Sequence, residues 1–266
     1  GSGKTTTLYG ALMELNTPAK KIITVEDPVE YKLERINQVG VNPKIGLTFS
    51  SVLRASLRQD PDILLVGEIR DHETAAIALR ASMTGHMVLS TLHTNDAISS
   101  AMRLVDIGVE GYMVASALRG VLAQRLVRRV CDHCTEPYLP TEQENSWLKT
   151  RLAPGSASHF CHGRGCTYCN NTGYSGRIGI FELLELDDPM ADALRANDPQ
   201  AFTRIALASE GFKTLTDSAL EYAAQGVTTL EEVFRVTEQL DEMAEIAEPE
   251  APAGGGLSLE PWDGGG

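Results

Sequence analysis

The chain opens with GSGKTTTLYG, which contains the end of a phosphate-binding loop. In the pattern G-x-x-x-x-G-K-[ST], backbone N–H groups wrap the phosphates of a nucleotide and the lysine neutralises their charge. Gly3, Lys4 and Thr5 match the closing G-K-T, so we expect Lys4 to reach the β- and γ-phosphates and the Thr5 hydroxyl to bind Mg²⁺. A flexible helix start is the alternative. The residues expected to contact the nucleotide here are Gly1, Ser2, Gly3, Lys4, Thr5 and Thr6.

Acidic residues follow two apolar runs that we predict to be buried strands. The segment ITVEDPVEY (23–31) carries Glu26 and Asp27, and PDILLVGEIRD (61–71) carries Glu68. Ligands of α/β sheets bind at the carboxyl ends of the strands, so we expect these side chains beside the phosphates. Glu68 is the candidate general base for the attacking water, and Glu26 is a second catalytic candidate. For Glu26 and Asp27 a solvated turn is the alternative.

Two histidines flank a third apolar run, in TGHMVLSTLHTND (84–96). His86 precedes the predicted strand and His93 follows it. A lone histidine is more often structural than reactive, but two histidines at the ends of one core strand favour a functional role. We therefore expect both to contact or sense the γ-phosphate.

Four of the five cysteines stand in two C-x2-C pairs, separated by a 31-residue loop. Two such knuckles bring four thiolates to one point, which is the ligand set of a structural zinc site. A redox pair or plain buried thiols are the alternatives. We expect no metal bond from Cys161, although His159 and His162 lie close to it in the sequence. The expected zinc ligands are Cys131, Cys134, Cys166 and Cys169.

The elements that must position these residues alternate between strand and helix patterns, which predicts a doubly wound α/β fold with a parallel sheet. We also predict one long helix over 112–130, further helices over 187–236, and a capping box from Thr229 to Glu232. The predicted strands are 21–25, 62–66 and 86–91, and the predicted helices between them are 5–15, 50–59 and 72–83.

Charge is distributed unevenly along the 266 residues, whose net charge is −13. From Thr237 onwards there are eight acidic and no basic residues, which leaves −5 for the rest. A mildly acidic body argues against direct binding of nucleic acid. The sequence has no apolar run of about 18 residues and no signal-like segment, so we expect a cytosolic protein.

In this order, the motifs GSGKTTT, VEDPVEY, LRQDPDILLVGEIRD and TGHMVLSTLHTND resemble the secretion ATPases of type II secretion and type IV pilus assembly. The resemblance covers residues 1 to about 236. It implies a RecA-like P-loop NTPase core that uses ATP, Mg²⁺ and Zn²⁺ and works as a homohexamer. It also implies a peripheral location on the cytoplasmic face of the inner membrane, with inner-membrane platform and cytoplasmic-linker proteins as partners.

The resemblance also assigns further parts of the chain. Arginines of the segment LRASLRQDPD, here Arg54 and Arg58, are implied in the assembled active site; surface charges are the alternative. The tetracysteine insert is typical of secretion ATPases rather than retraction ATPases. The implied division is a core over 1–130, a zinc-binding subdomain over 131–176, a small, mainly helical C-terminal subdomain over 177–240 and a disordered acidic tail over 241–266.

The function that the resemblance implies is the ATP-hydrolysing motor of a type II secretion system, which drives pseudopilus assembly and protein export. A type IV pilus assembly ATPase or a DNA-uptake ATPase is the alternative. The first glycine of the P-loop, the strand before it and a preceding domain are missing from this sequence, so we expect a core truncated at its N-terminus. A truncated fragment that folds and binds zinc without turnover is therefore also considered.

Overall fold

The computed structural model describes residues 2–152 and 159–247. Its strands are β1 (Ile22–Glu26), β2 (Asn37–Gly40), β3 (Ile63–Val66), β4 (Met87–Ser90), β5 (Gly120–Val130), β6 (Thr135–Pro137), β7 (Cys161–Gly163) and β8 (Tyr174–Glu185). Its α-helices are α1 (Lys4–Leu15), α2 (Phe49–Leu57), α3 (His72–Met83), α4 (Ala97–Asp106), α5 (Gly111–Ala117), α6 (Glu142–Arg151), α7 (Asp188–Arg195), α8 (Pro199–Leu207), α9 (Leu215–Ala224) and α10 (Leu230–Ala247).

Four parallel strands form the main sheet, in the order β2-β1-β3-β4. Strands β1 and β3 are buried along their whole length, as central strands of a covered parallel sheet must be. Helix α1 packs Tyr9 and Leu12 against one face, and α2 and α3 pack against the other. The predicted α/β fold with a parallel sheet is confirmed, and each of the three predicted strands forms within one residue of its predicted position.

The carboxyl ends of these strands and the start of α1 lie at the same edge of the sheet. Helix α1 runs antiparallel to the strands, because its end at Leu15 is followed within a few residues by the start of β1. Tyr9, in the second turn of α1, reaches Glu26 at the end of β1. The start of α1 therefore lies towards the carboxyl edge of the sheet, on the side of β1.

The single helix predicted over 112–130 is wrong. Helix α5 ends at Ala117, and residues from Gly120 onwards form β5, which pairs with β8 in an antiparallel ribbon. Gly120 permits the change, because a Cβ there would lie 3.3 Å from the Leu184 carbonyl oxygen. The helical pattern of apolar residues is overridden by pairing with a partner strand whose residues are 44 to 65 positions away in the sequence.

The C-terminal part of the chain packs on this ribbon. Helices α9 and α10 cover β5 and β8 near Val127 and Ile180, and α6 adds Leu148 to the same apolar cluster. Helices α7 and α8 pack instead with α3, α4 and α5 beside the main sheet. The boundary predicted at residue 240 falls inside α10, which continues to Ala247; residues 248–266 of the predicted tail lie outside the described residues.

Half of the capping box predicted at the start of α10 forms. The Glu232 backbone N–H donates to the Thr229 hydroxyl at 3.2 Å. The buried Glu232 carboxylate instead accepts from the Arg128 backbone N–H at 2.7 Å and from the Arg235 guanidinium at 2.8 Å. This acid therefore ties α10 to β5. Within the described ranges, the helices are all too short or too polar to cross a membrane.

Candidate nucleotide site and cysteine cluster

The start of α1 is shaped like an anion-binding site. Gly3 precedes the helix with a left-handed backbone (φ 82°), and no described side chain caps the first turn. The N–H groups of that turn are left for a ligand, and the helix dipole favours a negative one. Lys4 and Thr5 are half-buried at the first two helical positions, and Thr6 is exposed. Ser2 is half-buried, and Gly1 lies outside the described residues.

Gln124 of β5 supports the P-loop from the side. Its Oε1 accepts a hydrogen bond from the Thr7 hydroxyl at 2.7 Å. Its Nε2 lies 2.9 Å from the position that a Cβ at Gly3 would occupy, so a side chain at Gly3 would collide with it. Sequence reasoning missed this contact, because it depends on β5 being a strand and Gln124 facing α1.

Glu68 and His93 meet at the carboxyl edge of the sheet. Glu68 follows the end of β3, its side chain is 11% exposed, and it pairs with Arg70 at 2.6 Å. His93 follows the end of β4, and its Nε2 lies 3.0 Å from the other carboxylate oxygen of Glu68. Two residues 25 positions apart in the sequence are therefore in direct contact.

These partners control the charge of Glu68. Burial would raise the pKa of this carboxyl, but the hydrogen bonds and charges of Arg70 and His93 outweigh burial and lower it. Glu68 is therefore ionised at neutral pH, as a general base must be before it accepts a proton. Both carboxylate oxygens are occupied by these two partners in this structure.

Glu26, at the end of β1, faces helix α1. Its buried carboxylate accepts hydrogen bonds from the Tyr9 and Thr24 hydroxyls, and the Gln38 amide nitrogen lies 3.3 Å from it. Burial and the Glu26 carboxylate raise the pKa of Tyr9 to about 12, so Tyr9 remains a neutral donor. Asp27, one residue further on, is exposed at the edge. The alternative that both acids lie in a solvated turn is therefore wrong for Glu26, whose side chain is buried.

His86 does not lie at this edge. It precedes β4, so it stands at the amino end of the strand whose carboxyl end leads to His93. Four strand residues span about 13 Å. The His86 Nδ1 lies 3.0 Å from the Ala81 carbonyl oxygen and 3.3 Å from the Thr84 hydroxyl, at the C-terminal end of α3. The expectation that both histidines contact one phosphate is wrong for His86, because a strand separates its two ends.

Arg54 and Arg58 lie on the exposed surface of α2. Arg54 pairs with Glu73 at 2.6 Å, and both side chains are more than half exposed. Arg58 donates to the Arg54 carbonyl oxygen at 3.1 Å, at the C-terminal end of the helix. Neither arginine contacts the P-loop residues or Glu68 within the described ranges of this single chain.

Four cysteine sulfurs converge on one point. The Sγ atoms of Cys131, Cys134, Cys166 and Cys169 all lie within 4.8 Å of one another. Closest pairs are Cys131–Cys166 at 3.9 Å, Cys134–Cys169 at 3.8 Å and Cys166–Cys169 at 3.7 Å. These separations exclude disulfides, whose sulfurs lie about 2.05 Å apart. In a tetrahedron with Zn–S bonds of about 2.3 Å, the sulfurs lie about 3.8 Å apart, so the cluster has the dimensions of a zinc site.

Backbone donors favour a thiolate at Cys169, whereas burial raises the pKa of Cys134 to about 12. The Cys166 and Gly173 N–H groups lie 3.2 and 3.3 Å from the Cys169 Sγ. Burial would raise the pKa of Cys169, but these donors outweigh burial and lower it to about 6. Cys161 stays outside the group and donates to the His159 carbonyl oxygen at 3.4 Å. This arrangement matches the expected ligand set and its expected exclusion of Cys161.

Close backbone packing holds the two knuckles together. A Cβ at Gly163 would lie 2.0 Å from the Gly173 carbonyl oxygen, so the chain segments can meet only at glycine. The Cys131 backbone N–H also donates to the Gly173 carbonyl oxygen at 2.9 Å. The cluster is therefore positioned by backbone contacts as well as by its side chains.

Comparison with known proteins gives relatives for most of the chain. The sequence model of the family described as "Type II/IV secretion system protein" matches residues 1–235. The chain is 49% identical over 237 residues to the type II secretion system protein HxcR of Pseudomonas aeruginosa, covering 89% of this chain and 46% of HxcR. It is 46% identical over 240 residues to the type II secretion system ATPase E of Vibrio cholerae, covering 90% and 47%.

Two further relatives come from other systems. The type IV pilus assembly ATPase PilB of Thermus thermophilus is 48% identical over 237 residues, covering 89% of this chain and 27% of PilB. Among solved structures, the pilus retraction motor PilT with bound ADP superposes with a TM-score of 0.66 at 28% identity, covering 92% of this chain and 61% of that chain. The chain spans about half the length of the type II relatives described above.

Proposed function

The chain belongs to the type II/IV secretion system protein family, and from this premise we propose that it is the ATP-hydrolysing motor unit of a type II secretion system. The observation that carries the proposal is the Glu68–His93 pair at the carboxyl ends of β3 and β4, and the uncapped start of α1 is the proposed phosphate site. In this proposal the motor drives pseudopilus assembly and protein export from the cytoplasmic face of the inner membrane.

The residues of this edge have distinct roles in the proposed reaction. The α1 N–H groups and the Lys4 ammonium would bind the β- and γ-phosphates, and the Thr5 hydroxyl would hold Mg²⁺, which neutralises phosphate charge when bound. Phosphoryl transfer needs mainly positioning and neutralised charge, which this set of donors supplies.

Glu68 would act as the base for the attacking water. Arg70 and His93 each contact one of its oxygens, and the remaining lone pairs of the carboxylate can accept from the attacking water. The two partners are about equally exposed, 68% for Arg70 and 67% for His93, but the His93 contact is longer, at 3.0 Å against 2.6 Å, so His93 would move away from Glu68 more readily. Once it has moved away from Glu68, His93 would be able to contact the γ-phosphate.

Glu26 has a positioning role in this proposal rather than a catalytic one. Its carboxylate is buried and bonded to Tyr9, which fixes the second turn of α1 against the end of β1. Asp27 is the exposed acid of this pair, and it is available to the nucleotide or its metal.

The cysteine cluster would hold one structural Zn²⁺. Four thiolates in a closed set leave no position for water or substrate, so the metal would stabilise residues 131–176 rather than take part in hydrolysis. The sulfur separations of 3.7–3.9 Å and the backbone donors to Cys169 support this assignment.

Assembly is a further part of the proposal. We propose a RecA-like homohexamer in which Arg54 and Arg58, exposed on α2, contact a neighbouring subunit near its nucleotide. Inner-membrane platform and cytoplasmic-linker proteins are the proposed partners, with no direct contact to nucleic acid. The proposed units are 1–130, 131–176 and 177–240, linked by the β5–β8 ribbon.

Type IV pilus assembly is the second candidate function, because identity to PilB is 48% and lies in the range of the type II relatives. Complementation separates the two: restored export in a strain lacking its type II ATPase supports the first proposal. Restored piliation in a strain lacking its pilus assembly ATPase, without restored export, supports the second.

Removal of Lys4 tests the ATPase proposal. The assay uses the chain extended at its N-terminus by the segment that precedes this region in one of the relatives, because this chain spans about half the length of those relatives. In this version Lys4→Ala is expected to abolish turnover and weaken ATP binding, because the charge on the β- and γ-phosphates is no longer neutralised. Lys20→Ala, at an exposed loop position, is the matched control. Equal turnover in both variants would contradict the proposal.

A further inference from the structure

A buried glutamate joins two helix starts from different parts of the molecule. Glu182 lies on β8 opposite Ala123 and is 3% exposed. One carboxylate oxygen accepts from the Ala97 backbone N–H at 2.7 Å, and the other accepts from the Leu215 backbone N–H at 3.0 Å. These N–H groups belong to the first residues of α4 and α9.

The two helices have no other described polar link of this kind. Ala97 belongs to the apolar cluster around the main sheet, whereas Leu215 belongs to the cluster formed by α9, α10 and the ribbon. Each helix has its own cap: Asp96 accepts from Ser99 at 2.6 Å, and Thr214 accepts from Asp217 at 3.2 Å. Glu182 therefore satisfies the donors that the ordinary caps leave unpaired.

The chemistry of the site requires a carboxylate. Two N–H donors and the positive ends of two helix dipoles converge on one side chain, and each donor needs an oxygen. An amide offers a single oxygen, so its NH₂ group would face one of the N–H donors. A glutamate is the shortest side chain here whose two acceptors reach both helices.

Helix α4 continues directly from the segment that carries His93. Only Thr94, Asn95 and Asp96 separate His93 from Ala97. Thr94 is itself hydrogen-bonded to Ser100 in the first turn of α4, which shortens the free part of this segment. The position of the α4 start therefore limits where His93 can lie relative to Glu68.

We propose that Glu182 is a positioning residue that couples the C-terminal helices to the His93 segment at the sheet edge. A displacement of α9 is passed through the carboxylate to the start of α4, and from there to the His93–Glu68 contact. The role in turnover rests on the proposed ATPase function, whereas the mechanical link between α9, Glu182 and α4 does not.

Hydrogen exchange and NMR on residues 1–266 test the link directly. Glu182→Gln keeps the size of the side chain and replaces one acceptor by a donor. We expect exchange at the Ala97 or Leu215 amide to become faster by on the order of tenfold or more, since a buried donor loses its partner. We also expect the His93 imidazole signals to shift. If Glu182→Gln fails to fold, Glu182→Asp keeps the charge, can no longer reach both helices, and is measured in the same way.

Two control variants separate this role from general packing. Glu185→Gln makes the same chemical change at an exposed position of β8 and should alter neither amide. Ser218→Ala removes a different contact between α9 and β8, the 3.3 Å bond from the Phe181 N–H, and should leave His93 unchanged. If Ser218→Ala shifts His93 as strongly as Glu182→Gln, or if Glu182→Gln changes neither amide nor His93, the proposal is overturned.

Turnover gives the functional readout in the N-terminally extended version. We expect Glu182→Gln to lower kcat several-fold with little change in KM, because nucleotide binding at α1 is not touched. If Lys4→Ala leaves turnover unchanged, the ATPase proposal fails while the exchange and NMR results still decide the link. If Lys4 is essential and Glu182→Gln has full kcat, the coupling role fails alone.

Discussion

The cysteine cluster and the sheet edge at Lys4 are assembled in opposite ways. The cluster takes its four ligands from two knuckles, three of the four cysteines are buried, and all four sulfurs lie within 4.8 Å. The sheet edge takes Lys4, Glu68 and His93 from three separated segments, and it leaves His93 67% exposed. The cysteine cluster is closed and has the size of a metal-ion site. The sheet edge is open, and we expect a ligand to bring Lys4, Glu68 and His93 together.

This difference separates two kinds of site within one chain. A closed set of thiolates needs only local geometry, so its spacing in the sequence predicts it. An open edge depends on which strand ends meet, and that is decided by the topology of the sheet. The cluster should therefore respond to substitutions in an all-or-none way, and the edge should respond in graded steps.

Removal of one thiolate should give the largest effect. Cys166→Ser is expected to lower bound zinc from about one equivalent to a small fraction, because a site with three protein ligands loses its closed tetrahedral set. Residues 131–176 should then exchange amide hydrogens faster, while the main sheet keeps its protection. Elemental analysis and hydrogen exchange measure both. Cys161→Ser is the matched control, and an equal loss of zinc there would contradict the assignment.

Substitution of Glu68 should give the next largest effect, and it tests the open sheet edge as Cys166→Ser tests the closed cluster. In the N-terminally extended version, Glu68→Gln is expected to keep nucleotide binding and lower turnover by about 10²–10⁴-fold, because an amide cannot take a proton from water. Calorimetry and a phosphate-release assay measure the two quantities. Asp62→Asn, at the amino end of the same strand, serves as a control; turnover of Glu68→Gln equal to that control would remove Glu68 from the mechanism.

The two histidines should differ by a smaller margin. His93→Ala is expected to lower turnover by about tenfold, since a charged hydrogen bond is worth about 1.5–3 kcal/mol, whereas His86→Ala should stay close to the unsubstituted protein. The pKa of Glu68 is lowered in the fold, so its ionised form is lost only as pH falls through that lowered value. Loss of the His93 donor raises this pKa, and the acid limb of the pH–rate profile should move to higher pH. Equal effects of both substitutions would contradict the placement at opposite strand ends.

The arginines of α2 should give the smallest effect within a single chain. Arg54→Ala breaks an exposed pair with Glu73, so the free energy of unfolding should change by no more than about 1 kcal/mol in urea denaturation. If Arg54 acts across a subunit boundary, turnover of the assembled protein falls much further than stability does. A fall in both quantities by similar factors would assign Arg54 to the fold alone.

Local patterns were enough to predict much of the molecule. Buried apolar runs predicted β1, β3 and β4, and the C-x2-C spacing predicted which sulfurs converge. The rule that parallel strands share a carboxyl edge predicted that Glu68 follows a strand at this edge, but the contact between Glu68 and His93 was not predicted. The same rule places His86 away from the phosphates, because a residue that precedes a strand lies at the amino edge of the sheet. The parallel pairing of β4 with β3 establishes this position.

Contacts between distant segments were beyond the sequence patterns. Residues 120–130 have helical periodicity, and they form a strand because β8 provides a partner in register. The roles of Gln124 and Glu182 depend on this ribbon, so neither could be found while 112–130 was expected to be a helix. The apolar and polar alternation in GRIGIFELLE (176–185) is the signal that could have indicated a strand here.

Strand β5 connects the two sites physically. It contacts the first turn of α1 through Gln124 and ends one residue before Cys131 of the cysteine cluster, about 23 Å further along an extended chain. Ten ladder pairs with β8 resist stretching, and the irregularity between Arg128 and Val130 sets a fixed bend near the far end. The ribbon therefore has the properties of a lever arm: a small tilt at its α1 end would give a larger displacement at the cysteine cluster.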